Sequence, residues 1–270
     1  MEIDIEVCRI MAVRYGLPLQ FVIKEFRLMD VLGQAAEFAS RSPGSLVFKG
    51  GTALNKIYVQ KTQRFSEDVD FDLVTKNASL DLVGFSRELA GSISGYKITG
   101  FRKLRNTLQF YCGYELTGGG ADHVRIDISP KRLLVAKPVE SGTAVSEFAH
   151  ASVSGITVYS IEDLTARKLN ALADRTEGKD VYDAYVALPL CSSKTLKKAI
   201  AMMLESEGTH ERVEDFMQGM IGNLKKADYK KLHNLTNPFI PVPYRPRNWD
   251  ELKKDLLAKF ADLQRHFASA

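Results

Sequence analysis

Cysteine is scarce and unpatterned in this 270-residue chain: Cys8, Cys112 and Cys191 are odd in number, widely separated and without zinc-ligand spacing. They read as small apolar packing residues. No uninterrupted apolar run approaches the roughly 20 residues needed to span a bilayer. The opening Met1-Glu2-Ile3-Asp4-Ile5-Glu6 is acidic and lacks the basic flank and apolar centre of a signal peptide. These absences predict a cytoplasmic protein with no membrane partner. Internal repeats and low-complexity tracts are also missing, and His210, His233 and His266 are scattered without ligand spacing. The charge excess is small, +4 with a pI near 8.8, which suits a polyanionic partner without requiring one. A composition of 45% hydrophobic and 26% charged residues is ordinary for a soluble globular protein, and the length allows one large domain or two smaller ones.

What is present is concentrated in two short stretches. Phe48-Lys49-Gly50-Gly51-Thr52-Ala53-Leu54 ends a short apolar run on a glycine pair and then resumes at helical spacing through Leu54, Ile57 and Tyr58. Such a turn lets backbone approach an anion closely, and the following helix aims its free N–H groups at phosphate. Downstream, Arg64-Phe65-Ser66-Glu67-Asp68-Val69-Asp70-Phe71-Asp72-Leu73 alternates acidic and apolar residues, which is the strand period and puts the acids on one face. Clustered carboxylates need a neutralising cation, and hard oxygen donors beside a triphosphate point to Mg2+ (or Mn2+). Asp127, the lone acid of Val124-Arg125-Ile126-Asp127-Ile128-Ser129, is the candidate third member. Carboxylate-bound metals activate an attacking hydroxyl and stabilise a pyrophosphate leaving group, so the chemistry indicated is nucleotidyl transfer.

The rest of the chain divides by texture. Residues 5–41 are largely helical by spacing, and Ser42-Pro43-Gly44 breaks the run. Strands are expected at 46–48, 69–73, 97–101, 107–116 and 123–129, with a helix over 80–93 and a flexible Gly118-Gly119-Gly120 link. From Ile161, after Ser160 as N-cap with Asp163 three residues on, the pattern is helical, with helices around 179–188, 193–205, 211–224 and 249–267. Asn237 to Pro246 carries too many prolines for regular structure. The expected organisation is α/β (α+β): residues 1–155 as a mixed-sheet core with N-terminal helices, and 156–270 as a helical domain.

The glycine and acid motifs together resemble the AbiEii/AbiGii toxin family of nucleotidyltransferases, which includes the mycobacterial MenT toxins. A second block, Glu162-Asp163-Leu164-Thr165-Ala166-Arg167-Lys168-Leu169 followed by Lys179-Asp180-Val181-Tyr182-Asp183-Ala184, extends the resemblance to about residue 188. It implies a DNA polymerase β-like core followed by a C-terminal helical region. It also implies Lys49, Gly50, Gly51 and Thr52 at the triphosphate of an NTP substrate, with Asp68, Asp70 and Asp127 as metal ligands. Lys168 would meet phosphate charge, Asp180 and Asp183 would orient Lys168 or substrate, and Arg64 and Ser66 would either meet nucleotide or brace the acidic strand. Lys179 stands where the family often has Arg, so a bidentate contact there is not reproduced.

The implied activity is transfer of a nucleoside monophosphate to an acceptor, with the 3′ end of tRNA the expected one. The implied role is toxin of a type IV toxin–antitoxin or abortive-infection phage-defence system, with a cognate antitoxin as partner. A small-molecule acceptor, as for antibiotic nucleotidyltransferases, and a non-catalytic nucleotide-binding protein are the alternatives. His123 reads either as a half-exposed strand residue or as a group near substrate. Lys194, Lys197, Lys198, Lys225, Lys226, Lys230 and Lys231, with Tyr244, Arg245, Arg247 and Trp249, read either as solvated helix faces and an anchor or as contacts to RNA.

Overall fold

The computed structural model describes residues 3–42, 45–74, 81–116 and 119–269. Pro43, Gly44, Leu80 and Gly118, which figured in the expected breaks and in the start of one helix, lie outside them. Two compact units are formed: residues 1–132 with 140–158, and residues 133–139 with 159–270. Segment 133–139, inside the stretch expected to belong to the core, therefore packs with the helical unit.

Alternation of apolar and polar residues builds the sheet of the first unit. Its strands are β1 (Ser45–Lys49), β2 (Asp68–Val74), β3 (Lys97–Leu104), β4 (Thr107–Glu115), β5 (Ala121–Pro130), β6 (Glu140–Ser146) and β7 (Ala151–Val158). They lie in the order β3-β4-β5-β2-β1-β7-β6, with β2/β5 and β1/β7 parallel and the other neighbours antiparallel. The β6–β7 hairpin was not expected from the sequence, and it supplies the second parallel pairing, Phe48 beside Val158.

One face of this sheet is apolar. Val69, Phe71 and Leu73 of β2, Phe110 and Cys112 of β4, and Val124, Ile126 and Ile128 of β5 are all buried. Truncating one of them, as in Phe71→Ala, opens a cavity at a cost of about 3–5 kcal/mol. Helices α1 (Ile5–Tyr15) and α2 (Leu19–Arg41) precede the sheet; Asp4 caps α1 through the N–H groups of Glu6 and Val7, and α2 packs across β5 and β7. A short helical turn α3 (Gly50–Ala53) runs straight into a π-helix at Leu54–Val59, and α4 (Leu82–Ser92) is capped by Asp81. The other face carries the alternate residues of the same strands, and these are polar: Asp68, Asp70 and Asp72, Gln109 and Tyr111, His123, Arg125 and Asp127.

The second unit is helical: α5 (Ile161–Arg175), α6 (Gly178–Ala187), α7 (Ser193–Ser206), α8 (Val213–Lys226), α9 (Tyr229–Thr236) and α10 (Trp249–Ser269). They close on a core that includes Leu172, Val181, Ile200, Met217, Trp249, Leu256 and Phe260. Ser160 accepts from the N–H of Asp163 as the capping box requires, while the Asp163 carboxylate accepts the Ser160 hydroxyl and the N–H groups of Ala136 and Lys137. That second set of bonds ties segment 133–139 to α5. The proline-rich stretch holds two 3-10 turns, Asn237–Phe239 and Val242–Tyr244. Among the described residues no helix is long and apolar enough to cross a membrane.

Candidate active site

Strand register assembles the acids. Asp70 of β2 lies beside Asp127 of β5, and Asp68 lies beside Arg125, so three carboxylates and one guanidinium share a small area of the polar face. Across the other edge of β2, Lys49 is opposite Asp70. The crowding has an electrostatic consequence. Burial first, then the charges of Asp127 and Asp68, raise the Asp70 carboxyl to about 6, with Lys49 and Arg125 only partly offsetting them.

Arg125 answers part of this charge. Its Nη2 donates to Asp68 Oδ2, and its Nε lies 3.4 Å from Asp127 Oδ2. Among the described residues no three His, Cys, Asp or Glu side chains are gathered as a ready metal cage. The donor set nevertheless fits a divalent ion: hard carboxylate oxygens on neighbouring strands, one of them, Asp70, raised by burial and then by the charges of its acidic neighbours. The strand period marks Arg125 from sequence alone, since it precedes Asp127 by two residues and so shares its face. Gln109 carried no sequence signal. It is buried, and its Nε2 donates to Asp127 Oδ1 at 2.7 Å, an approach that only the β4–β5 register creates.

The glycine turn meets the acids directly. Gly50 has a φ of +77°, and a Cβ built on it would overlap the Asp70 carboxylate. Lys49 occupies the N-cap position of α3 without a side-chain cap bond, its Nζ instead 2.6 Å from Asp72 Oδ1. Asp72 is fully buried, so the third acid of the strand is the counter-ion of Lys49. Gly51 lies within α3.

Thr52, Arg64 and Ser66 each make contacts that brace the turn and the acidic strand. The Thr52 hydroxyl donates to the Asp68 carbonyl, pinning the turn to the acidic strand. Arg64 is buried, donates to the Phe65 carbonyl at 2.9 Å, and has its own N–H held by Asn55 Oδ1. Ser66, also buried, lies 3.5 Å from the Arg64 Nη1 donor.

In the helical unit, Lys168 Nζ on α5 lies 3.0 Å from Asp180 Oδ1 and 2.9 Å from Asp183 Oδ2, both on α6. Asp180 also receives Arg175, a residue outside the second sequence block, through Nε at 2.7 Å and Nη2 at 3.1 Å. Burial opposes the Asp180 charge, but Arg175 and Lys168 outweigh it and hold the carboxyl below its ordinary range. Lys179 places its ammonium over the Phe239 ring, 3.4 Å from the centroid. Trp249 is buried and donates its indole N–H to Asn237, so it anchors α10 rather than offering a ring to a base.

A glycine turn closing one strand against paired carboxylates on the next, within a mixed sheet, has the form of a nucleotidyltransferase site. The sequence matches, over residues 36–262, the family described as nucleotidyl transferase AbiEii toxin, type IV toxin–antitoxin system, and the chain belongs to it. Among solved structures it is similar in fold to MenT4, a nucleotidyltransferase toxin of Mycobacterium tuberculosis H37Rv, with a TM-score of 0.68 at 17% identity over 98% of this chain and 93% of that one. It is also similar to JHP933 of Helicobacter pylori, with a TM-score of 0.58 at 19% identity over 94% and 95% of the two chains. A search of curated proteins gives no match.

Proposed function

We propose that this toxin-family nucleotidyltransferase transfers a nucleoside monophosphate from an NTP to the 3′-hydroxyl of tRNA. The observation that carries the reading is the pairing of Asp70 with Asp127 across parallel strands, with Asp68 two residues along the same face. The acceptor oxygen forms a bond to the α-phosphorus, the bond to the bridging oxygen of the β-phosphate breaks, and pyrophosphate leaves with that electron pair. Asp68, Asp70 and Asp127 would hold Mg2+ or Mn2+, an ion that would offset the charge of the leaving pyrophosphate and acidify the acceptor hydroxyl, whose proton would pass to bulk water. The turn at Gly50 and Gly51 gives the triphosphate a close backbone approach, and Lys49, fixed by Asp72, supplies a cation beside it. Lys168 is assigned to the phosphate charge that grows during transfer, with Asp180 and Asp183 setting its position. Membership of a type IV toxin family implies an antitoxin as protein partner.

The test is incubation with each of the four α-labelled triphosphates, a divalent cation and purified tRNA. Label is expected in RNA from the wild type and in none from Asp68→Ala or Asp70→Ala, both folded; Lys168→Ala is expected to impair transfer. Full activity in either acid variant would remove the metal assignment. Label on a small hydroxylated compound and none on RNA would move the acceptor to that class.

A further inference from the structure

The polar face of the sheet continues past the acids, and its side chains are linked to them. Gln109 binds Asp127 through its amide nitrogen, and its Oε1 accepts from Arg102 Nε at 2.6 Å and from the Tyr111 hydroxyl at 2.9 Å. Arg102 Nη2 also donates to the Tyr111 oxygen at 2.7 Å. Next to Tyr111 stands His123, edge to face at a centroid distance of 4.6 Å. A chain of direct contacts thus runs from the third acid across β4 to β3.

This arrangement is built rather than incidental. The β3–β4 register shifts between Thr99 and Arg102, and Gly100 in that bulge has a φ of +69°. A Cβ there would overlap the Tyr111 ring, so the bare glycine lets the ring lie flat on the neighbouring strand. Beyond it, Gly113 carries no side chain, and a cavity of about 510 Å³ opens where Lys97, Thr99, Gly113, Glu115, Ala121 and His123 meet. Lys97, Thr99, Arg102 and His123 are exposed. Aromatic rings, exposed cations and a shallow hollow on one rigid sheet are what a single-stranded polynucleotide needs: faces for bases and positive charge for phosphates.

We infer that the β3–β4–β5 face is a shelf for the last nucleotides of a single-stranded RNA acceptor, with Tyr111 and His123 stacking on bases and Arg102 and Lys97 meeting phosphates. The inference rests on the RNA-acceptor reading above. Strand spacing puts β3 about 10 Å from β5, and four residues along β5 separate His123 from Asp127 by about 13 Å. A strand lying on the shelf therefore has its terminal hydroxyl within reach of the acids. Glu115 and Asp122, which also line the hollow, set the limit of the favourable charge.

The experiment measures affinity for a 5′-fluorescein single-stranded RNA with a free 3′-hydroxyl, by anisotropy without NTP, and NTP affinity separately. Arg102→Ala/His123→Ala is expected to weaken RNA binding about tenfold or more and to leave NTP affinity unchanged, with a shallower dependence on salt. Tyr111→Ala is expected to do the same. If its unfolding midpoint drops because the ring packs on Gly100, the double variant at exposed positions decides alone. Unchanged RNA affinity, an equal loss of NTP affinity, or absence of RNA binding by the wild type would each overturn the shelf. Failure of the transfer reading looks different. RNA binding lost in the shelf variants while the wild type labels no RNA keeps the shelf and removes the transfer. RNA labelled equally by wild type and variants, with equal affinity, removes the shelf and keeps the transfer.

Discussion

The carboxylate of Asp70 fills the space into which a side chain on Gly50 would grow, and Gly50 itself holds a φ of +77°. The glycine is therefore required twice, once by backbone conformation and once by the acid it faces. The backbone conformation alone disfavours alanine by about 1–2 kcal/mol, before any overlap with Asp70 is counted. Gly50→Ala is expected to lower stability by at least that amount in denaturant unfolding and to abolish NTP binding. A variant as stable as wild type, with NTP affinity intact, would show that the turn and the acid strand are not mutually fitted.

Asp70 gives a second, pH-dependent expectation. Burial and the nearby Asp127 and Asp68 charges raise its carboxyl from 3.8 to about 6, so the folded protein holds this proton more tightly than the unfolded chain. The stabilising contribution is complete below the unfolded value and is lost as pH rises through the folded one. Asp70→Asn is thus expected to be more stable than wild type above pH 6, by about 1–3 kcal/mol, and no more stable near pH 4. Urea unfolding from pH 4 to 8 measures this. A divalent cation should raise the stability of the wild type above pH 6 and do little for the variant.

The acidic face shows how far the sequence could be read. Asp68, Asp70 and Asp127 were legible because strand period and apolar neighbours declare which way a side chain points, even before its partners are known. The β6–β7 hairpin was not: Glu140-Ser141-Gly142-Thr143 and Ser152, Ser154 and Gly155 give a weak alternation, and it is the parallel pairing of β7 with β1 that makes them strand. Gln109 and the Lys56–Glu25 pair were hidden for a related reason, since they depend on contacts between segments far apart in sequence. The brace formed by Arg64 and Thr52 was half visible. Residue type announced polarity, but only the fold decides that their donors meet backbone carbonyls.

Asp72 and Asp68 lie on one strand face yet should respond oppositely. Asp72 is fully buried against Lys49, whose side chain is 21% exposed, whereas Asp68 is 34% exposed in a crowd of like charges. Removing the buried partner strands the lysine, at a cost of about 2–4 kcal/mol. Asp72→Ala should therefore unfold at lower denaturant and bind NTP more weakly. Asp68→Ala should stay within about 1 kcal/mol of wild type in stability while losing transfer.

In the helical unit the sign of the pH effect reverses. Asp180 is held below its ordinary range, with burial opposed and outweighed by Arg175 and Lys168. A depressed carboxyl contributes stability above its unfolded pKa and loses it as pH falls through the folded one. Asp180→Asn should cost about 1–3 kcal/mol at pH 7, and the gap to wild type should narrow steadily below about pH 4. A gap independent of pH would mean that shape, not charge, is what Asp180 provides.

The π-helix that continues the glycine turn is fixed by a buried charge. Lys56 is fully buried; its ammonium pairs with Glu25 on α2 and donates to Gln63 Oε1 at 2.5 Å, while Ser146 of β6 donates to the same Glu25. Burial disfavours the Lys56 charge and pushes its pKa down, and the Glu25 carboxylate works against that. A pair of this kind is expensive to break from one side and cheap to replace from both. Lys56→Met and Glu25→Leu should each lower unfolding free energy by about 3–5 kcal/mol, and the double variant by much less than their sum. The same cycle read on NTP affinity tests what the pair is for. If the double variant regains stability but not affinity, then the charge itself, by holding the π-helix between α2 and β6, sets the position of the glycine turn that precedes it.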